Sequence, residues 1–347
     1  LVGFLNEWDP HVVVDCHITN GSYHRFLITY AGPKAPAGDP RVVAFSDRAF
    51  LPDIDRRFEL ATGEHTFWYG SFEGAFTDEN RGHTRWETFP AQARYGTTYV
   101  GLRGRLSVLV ESYSYAPFKD RVLGTRDFCR AVLESAAAHA APIRGVCDGA
   151  DRYGRELGKG GSVGIRSRDA SNPETGIILG YTEKTADGRM GLESDPTEYE
   201  CVILHRAEAA LSVRAPAAYA IPAEWTGAIR TVRDHGIETF VLGEERTAAG
   251  ERNIVRSLKP ASRAFQGHVI VEVGTEIEAA EVRLPAGTVI VPMDQVLSPL
   301  AAYLLEPMCE DGLTAWNAFD AALEIGGVFP VVRVMDAVDG WSADRVR

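Results

Sequence analysis

The sequence predicts an α/β fold at its start, followed by a β-rich α+β unit. Two short runs of β-branched and apolar residues, at 11–16 and 106–110, have the length and composition of strands in a sheet. An alanine-rich stretch at 118–141 places its apolar residues near one face of a long helix. From residue 160 onward, short extended runs alternate with turns, which is typical of a β-rich unit.

The chain has 347 residues, of which 45% are hydrophobic and 24% are charged, and this length is enough for about two domains. We expect their boundary near the glycine-rich segment GKGGS at 158–162, which has the composition of a linker or a tight turn. This segment lacks the spacing and the Ser or Thr after Lys that a phosphate-binding loop needs. The predicted units are therefore 1–150 and 160–347.

Charge and cysteine content argue against several classes of protein. The formal net charge is −12 and the Lys and Arg residues are scattered, whereas nucleic-acid binding needs a concentrated positive face. No run approaches the ~20 apolar residues of a transmembrane segment. The five cysteines are too few and too spread for a disulfide scaffold or a C-x-x-C metal site, and their odd number leaves at least one thiol unpaired in a monomer. One or two disulfides stay possible.

The stretch HVVVDCHITNGSYH at 11–24 ends an apolar strand on a histidine. Pro10 and Asn20-Gly21 bound the run, and we expect it to form a central, buried strand. Ligands of α/β sheets bind beyond the carboxyl ends of the strands, so His17 is a candidate metal ligand. The alternative is that His17 is only a polar residue hydrogen-bonded at a strand end.

A second strand, at 106–110, ends on a carboxylate. Burial of Glu111 beside apolar neighbours would raise its pKa towards that of a usable general base. A histidine and a glutamate at the ends of neighbouring strands are typical of a zinc hydrolase, in which the metal acidifies a water molecule and the carboxylate moves its proton. His17 and Glu111 are therefore expected to lie side by side.

The remaining elements follow from periodicity and from helix and turn signals. Residues 25–30 are predicted to be extended, and 41–61 helical with a kink or break at Pro52 and an end at Thr62-Gly63. After residue 160, helices are predicted near 223–235 and 293–306. Strands are predicted at 162–165, 176–181, 199–204, 269–273, 288–291 and 331–334.

The two strand-end motifs resemble a known family. D-x-H-x-T-N-G-S-Y-H from Asp15, followed by Y-V-G-L-R-x-R-L-x-V-L-x-E-S-Y-S-Y from Tyr99, is similar to the zinc carboxypeptidases of peptidase family M14, in their long bacterial form with a C-terminal extension. The segment at 294–320 resembles the end of those long members. The resemblance implies a three-layer α/β/α catalytic domain with a mixed sheet, of which residues 1–150 would be the C-terminal part.

The same resemblance implies roles for three residues. His17 would be the third ligand of a Zn²⁺ ion, Glu111 the catalytic general acid and base, and Tyr95, by its position before Glu111, the mobile tyrosine over the substrate. The family's first two zinc ligands form an H-x-x-E motif well upstream of the third, and only sixteen residues precede His17 here. We therefore expect an N-terminally truncated member that is inactive alone.

One H-x-x-E motif does occur, at His235 to Glu238, but it follows the third ligand in the chain. Gly236 marks the end of a helix there, so the two side chains are expected to diverge. A histidine in the last turn of a helix is already explained by the helix dipole. We therefore do not assign zinc to this pair.

The expected function is zinc-dependent hydrolysis of C-terminal peptide bonds, with the C-terminus of a peptide or protein as substrate. The resemblance also suggests an extracytoplasmic or secreted location. Two alternatives stay open at this point. The chain could be a catalytically silent binding or scaffold fragment, or a zinc amidohydrolase of the same fold that acts on a non-peptide amide. Arg94 is either a contact for acidic side chains of the substrate or an exposed surface residue.

Overall fold

The structure is a computed structural model that describes the whole chain except residues 20, 35, 75–81, 183–184, 187–188, 191–194, 337–339 and 342–347. It is a mixed α/β protein with several sheets, as predicted. The α-helices are α1 (Val2–Trp8), α2 (Pro40–Phe45), α3 (Leu51–Thr62), α4 (Gly96–Leu102), α5 (Phe118–Ala138), α6 (Ala140–Leu157), α7 (Thr226–Asp234) and α8 (Ser298–Leu305). None of the helices described is both long and apolar enough to cross a bilayer.

The strands fall into two groups along the chain. The first group is β1 (Val12–Ile18), β2 (Ile28–Ala31), β3 (Thr66–Trp68), β4 (Ser71–Phe72), β5 (Arg85–Glu87) and β6 (Leu106–Ser112). The second group is β7 (Ser162–Ala170), β8 (Thr175–Tyr181), β9 (Thr185–Ala186), β10 (Arg189–Met190), β11 (Pro196–Leu204), β12 (Arg206–Arg214), β13 (Ala218–Ile221), β14 (Phe240–Val241), β15 (Arg246–Pro260), β16 (Val271–Leu284), β17 (Val289–Pro292) and β18 (Val332–Val334).

A four-stranded mixed sheet in the order β1-β6-β2-β3 organises the first part of the chain. β1 runs parallel to β6, β2 antiparallel to β6, and β3 parallel to β2. Successive residues of a strand face opposite sides of the sheet. Ser107 Oγ of β6 donates a hydrogen bond to the Thr97 carbonyl of α4, whereas Val108 packs in a core with Phe128 of α5. Helices therefore cover both faces.

The position of β1 differs from the prediction. The apolar run at 11–16 indicated a central, buried strand, but β1 is an edge strand with β6 as its neighbour in the sheet. Val14 is 37% exposed and Ile18 is 61% exposed. The prediction of a central strand was wrong because it was based on composition. A β-branched run indicates that a segment forms a strand, but it does not indicate whether one or two other strands pair with it.

The predicted break near Pro52 is confirmed, and its cause is visible. A π-helical turn at Ser46–Phe50 separates α2 from α3. Pro52 has no N–H to donate to the carbonyl of residue 48, so a regular α-helical ladder cannot continue through this point. Gly63 then ends α3 with φ 76°, the left-handed conformation that glycine adopts without strain.

Helix α5 agrees with the predicted helix at 118–141, but α6 after it was not predicted. Pro142 and three glycines interrupt its sequence pattern. Pro142 lies in the first turn, where the missing N–H does no harm. The buried residues of α6 include Ile143, Cys147 and Leu157 along one side, so tertiary burial stabilises a helix that its glycines weaken.

The second part of the chain is rich in strands, as predicted. β7 and β12 pair as an antiparallel two-stranded sheet, and a six-stranded sheet has the order β14-β17-β13-β18-β15-β16. The predicted helices near 223–235 and 293–306 are confirmed as α7 and α8, with shorter bounds. The long β15–β16 hairpin extends the predicted strand at 269–273 well beyond its expected length.

The two predicted units share a sheet and a core. β5 pairs in parallel with β11, in the four-stranded order β4-β5-β11-β8. Leu102 of α4 packs in the same hydrophobic core as Leu300 of α8.

Arg94 also joins the two parts, since its Nε donates to Asp311 Oδ1 at 2.8 Å and its guanidinium lies over the Trp316 ring. The interpretation of Arg94 as an exposed surface residue was therefore wrong, because its side chain is bound to a buried carboxylate, and a contact with substrate stays a prediction. A division at 150–160 stays a prediction.

A buried polar network lies in the second part of the chain. Glu306 is fully buried and accepts a hydrogen bond of 2.6 Å from Tyr219 Oη. Arg333, which is 1% exposed, places its Nε 3.4 Å from Glu306 Oε1 and its Nη1 3.4 Å from Glu251 Oε2. Its other guanidinium nitrogen donates to the Arg214 carbonyl. The charge of Arg333 therefore compensates the buried carboxylate of Glu306.

Candidate functional site

The parallel pairing of β1 with β6 places the two predicted residues side by side. In the register of the sheet, His17 is directly opposite Glu111, with Cys16 opposite Val110 before them and Ile18 opposite Ser112 after them. Both residues stand close to the carboxyl ends of their strands. Side chains directly opposite each other on neighbouring strands lie on the same face of the sheet. His17 and Glu111 therefore share a face, as the sequence predicted.

His17 is a half-exposed imidazole held by a carboxylate on its own strand. Its Nε2 lies 2.9 Å from Asp15 Oδ1, and the His17 side chain is 50% exposed. Asp15 precedes His17 by two residues, so both side chains point to the same face of β1. A carboxylate paired with an imidazole in this way fixes the orientation of the ring, as carboxylates do for metal-binding histidines.

Glu111 is a buried carboxyl with an unusual pKa. The residue is 6% exposed, and its Oε2 has no hydrogen-bond partner in the described part of the protein. The pKa of Glu111 is raised to about 7, mainly through desolvation by burial. The charge of His17 lowers this pKa and that of Asp15 raises it, and both effects are smaller than that of burial. A carboxylate with a pKa near 7 is suited to accept and return protons at neutral pH.

Tyr95 lies at the start of α4, next to a residue that packs against Asp15, and its role over the substrate stays a prediction. It is the residue before α4, and its ring lies tilted against that of Phe89, with the ring centroids 5.0 Å apart. The next residue, Gly96, lies so close to Asp15 that a β-carbon on it would be 3.2 Å from Asp15 Oδ2. The start of α4 is thus packed against the carboxylate that holds His17.

Tyr69 belongs to the same neighbourhood and was not singled out from the sequence. Burial, together with the charges of Glu111 and Tyr95, raises the pKa of Tyr69 to about 12. Tyr69 follows β3 at the end of the aromatic stretch HTFWYG. No local pattern predicts this proximity, because it depends on the pairing of β3 with β2, which is itself the neighbour of β6.

Four other histidines of the chain have partners elsewhere in the fold. His65 Nδ1 contacts Glu59 Oε1 at 2.8 Å, and the His83 ring stacks on Tyr199. His24 is buried among aromatic rings, with its Nδ1 accepting a hydrogen bond from the Phe26 amide. His235 Nδ1 lies 2.7 Å from Tyr99 Oη and caps the end of α7, as expected for a helix terminus.

The donor set at this site fits one part of a zinc centre. The residues that the structure describes contain no group of three His, Cys, Asp or Glu side chains placed to hold a metal. His17 supplies one imidazole nitrogen donor, and Asp15 supplies the carboxylate that commonly supports such a ligand. Glu111, which is opposite His17 in the sheet, has an Oε2 without a hydrogen-bond partner in the described residues.

Comparison with known proteins gives a weak and partial match. No protein-family model matches the chain, and no solved structure matches it. Two curated fungal proteins named Carboxypeptidase 2, from Trichophyton tonsurans and Trichophyton equinum, are each 27% identical to it over 128 residues. That match spans 37% of this chain and 23% of each relative, so the chain covers about a quarter of their length. The similarity suggests a carboxypeptidase-like relationship.

Proposed function

We propose that the chain is part of a zinc carboxypeptidase of peptidase family M14 and acts on the C-termini of peptides or proteins. The observation that carries the proposal is the pair formed by His17 and Glu111 in register at the ends of β1 and β6. The buried Glu111, with a pKa of about 7, supports a general base at this point. The similarity to the two fungal proteins named carboxypeptidases supports a peptidase activity.

Each residue of the site has a distinct task in this proposal. Zinc, when bound, lowers the pKa of a water molecule and polarises the scissile carbonyl group. His17 would hold the ion, and Asp15 keeps the imidazole ring in place. Glu111 accepts a proton on its free Oε2 and then gives it to the amine nitrogen of the leaving amino acid. Tyr95, by the resemblance, would contact the substrate.

The remaining zinc ligands would come from polypeptide outside residues 1–347. In this proposal an upstream His and Glu, arranged as H-x-x-E, complete the site around His17. The sheet would then continue beyond β1, whose outer edge carries the exposed side chains of Val14 and Ile18. Added strands on this edge would bury those apolar side chains and satisfy the backbone groups of β1.

The decisive test is Glu111→Gln in the longer parent protein that the proposal requires. The amide keeps the size of the side chain but cannot accept the proton, so hydrolysis of N-acylated dipeptides should fall by about 10²- to 10⁴-fold. Glu64→Gln, at an exposed position distant in sequence from both strands, is the matched control and should keep full activity. Full activity of the Glu111→Gln protein would refute the assignment of the base.

Zinc content gives a second, independent test. Elemental analysis of purified chain 1–347, at a pH where histidine is neutral, should find much less than one zinc ion per chain. The parent protein should hold about one zinc ion and lose activity with 1,10-phenanthroline. One tightly held zinc ion in chain 1–347 would show that this chain supplies its own further ligands, against the proposal. An active parent protein without zinc would refute the proposed zinc dependence.

A further inference from the structure

Two cysteines from distant parts of the sequence lie in contact beside the edge strand. The Sγ atoms of Cys16 on β1 and Cys129 on α5 are 3.7 Å apart, although 113 positions separate the two residues in the chain. Both are free thiols in the structure. Cys16 is exposed and Cys129 is partly buried, whereas Cys147, Cys201 and Cys309 are buried.

The local geometry explains why the two thiols meet. Cys16 lies between Asp15 and His17, so its side chain points to the opposite face of β1 from theirs. α5 packs on that opposite face, where Phe128, the residue before Cys129, joins the core against β6. Because β1 is an edge strand, no further strand in the described structure covers Cys16, and its sulfur is open to small reagents.

We propose that Cys16 and Cys129 are a redox-active pair whose disulfide fastens the edge strand β1 to helix α5. Two sulfur atoms in contact need only small side-chain rotations to reach the ~2.0 Å of a disulfide bond. The oxidant is a low-molecular-weight disulfide such as glutathione disulfide. This inference concerns β1 as the edge strand of chain 1–347 and rests only on the two thiols and the elements that carry them, so it does not require the proposed hydrolytic function.

The reaction proceeds in two exchange steps. The thiolate of the more exposed Cys16 attacks one sulfur of glutathione disulfide, whose S–S bond breaks and releases one glutathione thiolate. The thiolate of Cys129 then attacks the Cys16 sulfur, and the second glutathione thiolate leaves. The two protein thiols lose two electrons, which reduce the glutathione disulfide to two glutathione molecules, and the two thiol protons pass to these leaving groups. Burial and the Cys16 thiol both raise the pKa of Cys129, so Cys129 is the weaker nucleophile of the two and the first attack falls to Cys16.

The disulfide bond would attach β1 covalently to α5 and stabilise the fold. The strand is paired on one side only, and the disulfide would join it covalently to a helix 113 positions away in the sequence. A crosslink that closes so long a loop restricts the unfolded chain strongly. The oxidised protein is therefore expected to melt about 5 °C or more above the reduced protein.

The test uses purified chain 1–347 incubated with glutathione disulfide, followed by alkylation and tryptic digestion without reduction. Cleavage after Arg25, Arg126 and Arg130 isolates Cys16 in peptide 1–25 and Cys129 in peptide 127–130. We expect these two peptides to appear as one disulfide-linked species that dithiothreitol separates. The cysteines at 147, 201 and 309 should be recovered as alkylated thiols.

Two single variants test which thiol attacks first and which one completes the disulfide. Cys129→Ser removes the resolving thiol, so Cys16 should accumulate as its glutathione adduct. Cys16→Ser changes an exposed side chain and should remove both the linked peptide and the rise in melting temperature. Recovery of Cys16 and Cys129 as free thiols after incubation, or of Cys16 as a glutathione adduct in the unsubstituted protein, would overturn the proposal. A linked species that involves another cysteine would do the same.

Discussion

The substitution Glu111→Gln should stabilise the protein, and only above mildly acidic pH. Burial raises the pKa of Glu111 from its ordinary value of 4.5 to about 7. The folded state therefore binds this proton more tightly than the unfolded state does. Stability from this group is fully present below pH 4.5 and is lost as pH rises through about 7. Glutamine has nearly the same shape and stays neutral throughout, so it avoids this loss.

The size of the effect follows from the pKa difference. A rise in pKa from 4.5 to about 7 corresponds to a loss of about 3 kcal/mol of folding stability when Glu111 is ionised. Solvent near the half-exposed His17 and Asp15 screens the site, so we expect a loss of about 1–2 kcal/mol. At pH 8 the Glu111→Gln protein should be more stable than the unsubstituted chain by this amount. At pH 5, close to the unfolded pKa of 4.5, the difference should be only a small part of this, because folded Glu111 is then protonated and ionisation of the unfolded state costs little.

Urea denaturation of chain 1–347 at pH 5 and pH 8, followed by tryptophan fluorescence, measures this difference. Comparison of the two proteins at each pH removes the contributions of all other titrating groups. Glu64→Gln, at an exposed position, should show no such dependence on pH. If Glu111→Gln is equally stable or less stable than the original chain at pH 8, Glu111 is not held in a desolvated, unfavourable state and the reasoning about the site is wrong.

Further predictions concern packing and buried charge, and chemical denaturation checks each one. Gly154→Ala should cost about 1–3 kcal/mol, since its β-carbon would collide with the backbone carbonyl of Val296. Gly145→Ala in the same helix meets nothing within 4 Å and should add about 0.5–1 kcal/mol; equal effects of the two would contradict the packing of α6. Arg333→Met should cost about 3–5 kcal/mol, because it leaves Glu306 buried without its cation, and Glu306→Gln added to it should recover part of this loss. A loss below about 1 kcal/mol, or no recovery, would contradict the role of this ion pair.

The sequence determined most of the local structure. The β-branched run before His17 and the apolar run before Glu111 became β1 and β6, and the stripe at 118–141 became α5. Pro52 and Gly63 marked the break and the end of the helical segment at their correct places. These features depend on residues close together in the chain. The periodicity of apolar side chains and the backbone restrictions of Pro and Gly act over a few positions, so the sequence shows them directly.

Tertiary structure alone decided how these elements meet. It placed β1 at a sheet edge and His17 opposite Glu111, and it brought Tyr69 near them and Cys16 to Cys129. Strand pairing and burial depend on contacts between residues far apart in the chain, and no local pattern records which strand becomes a neighbour. For the same reason the pKa of Glu111 belongs to the fold, since desolvation acts only once the surrounding strands and helices have assembled.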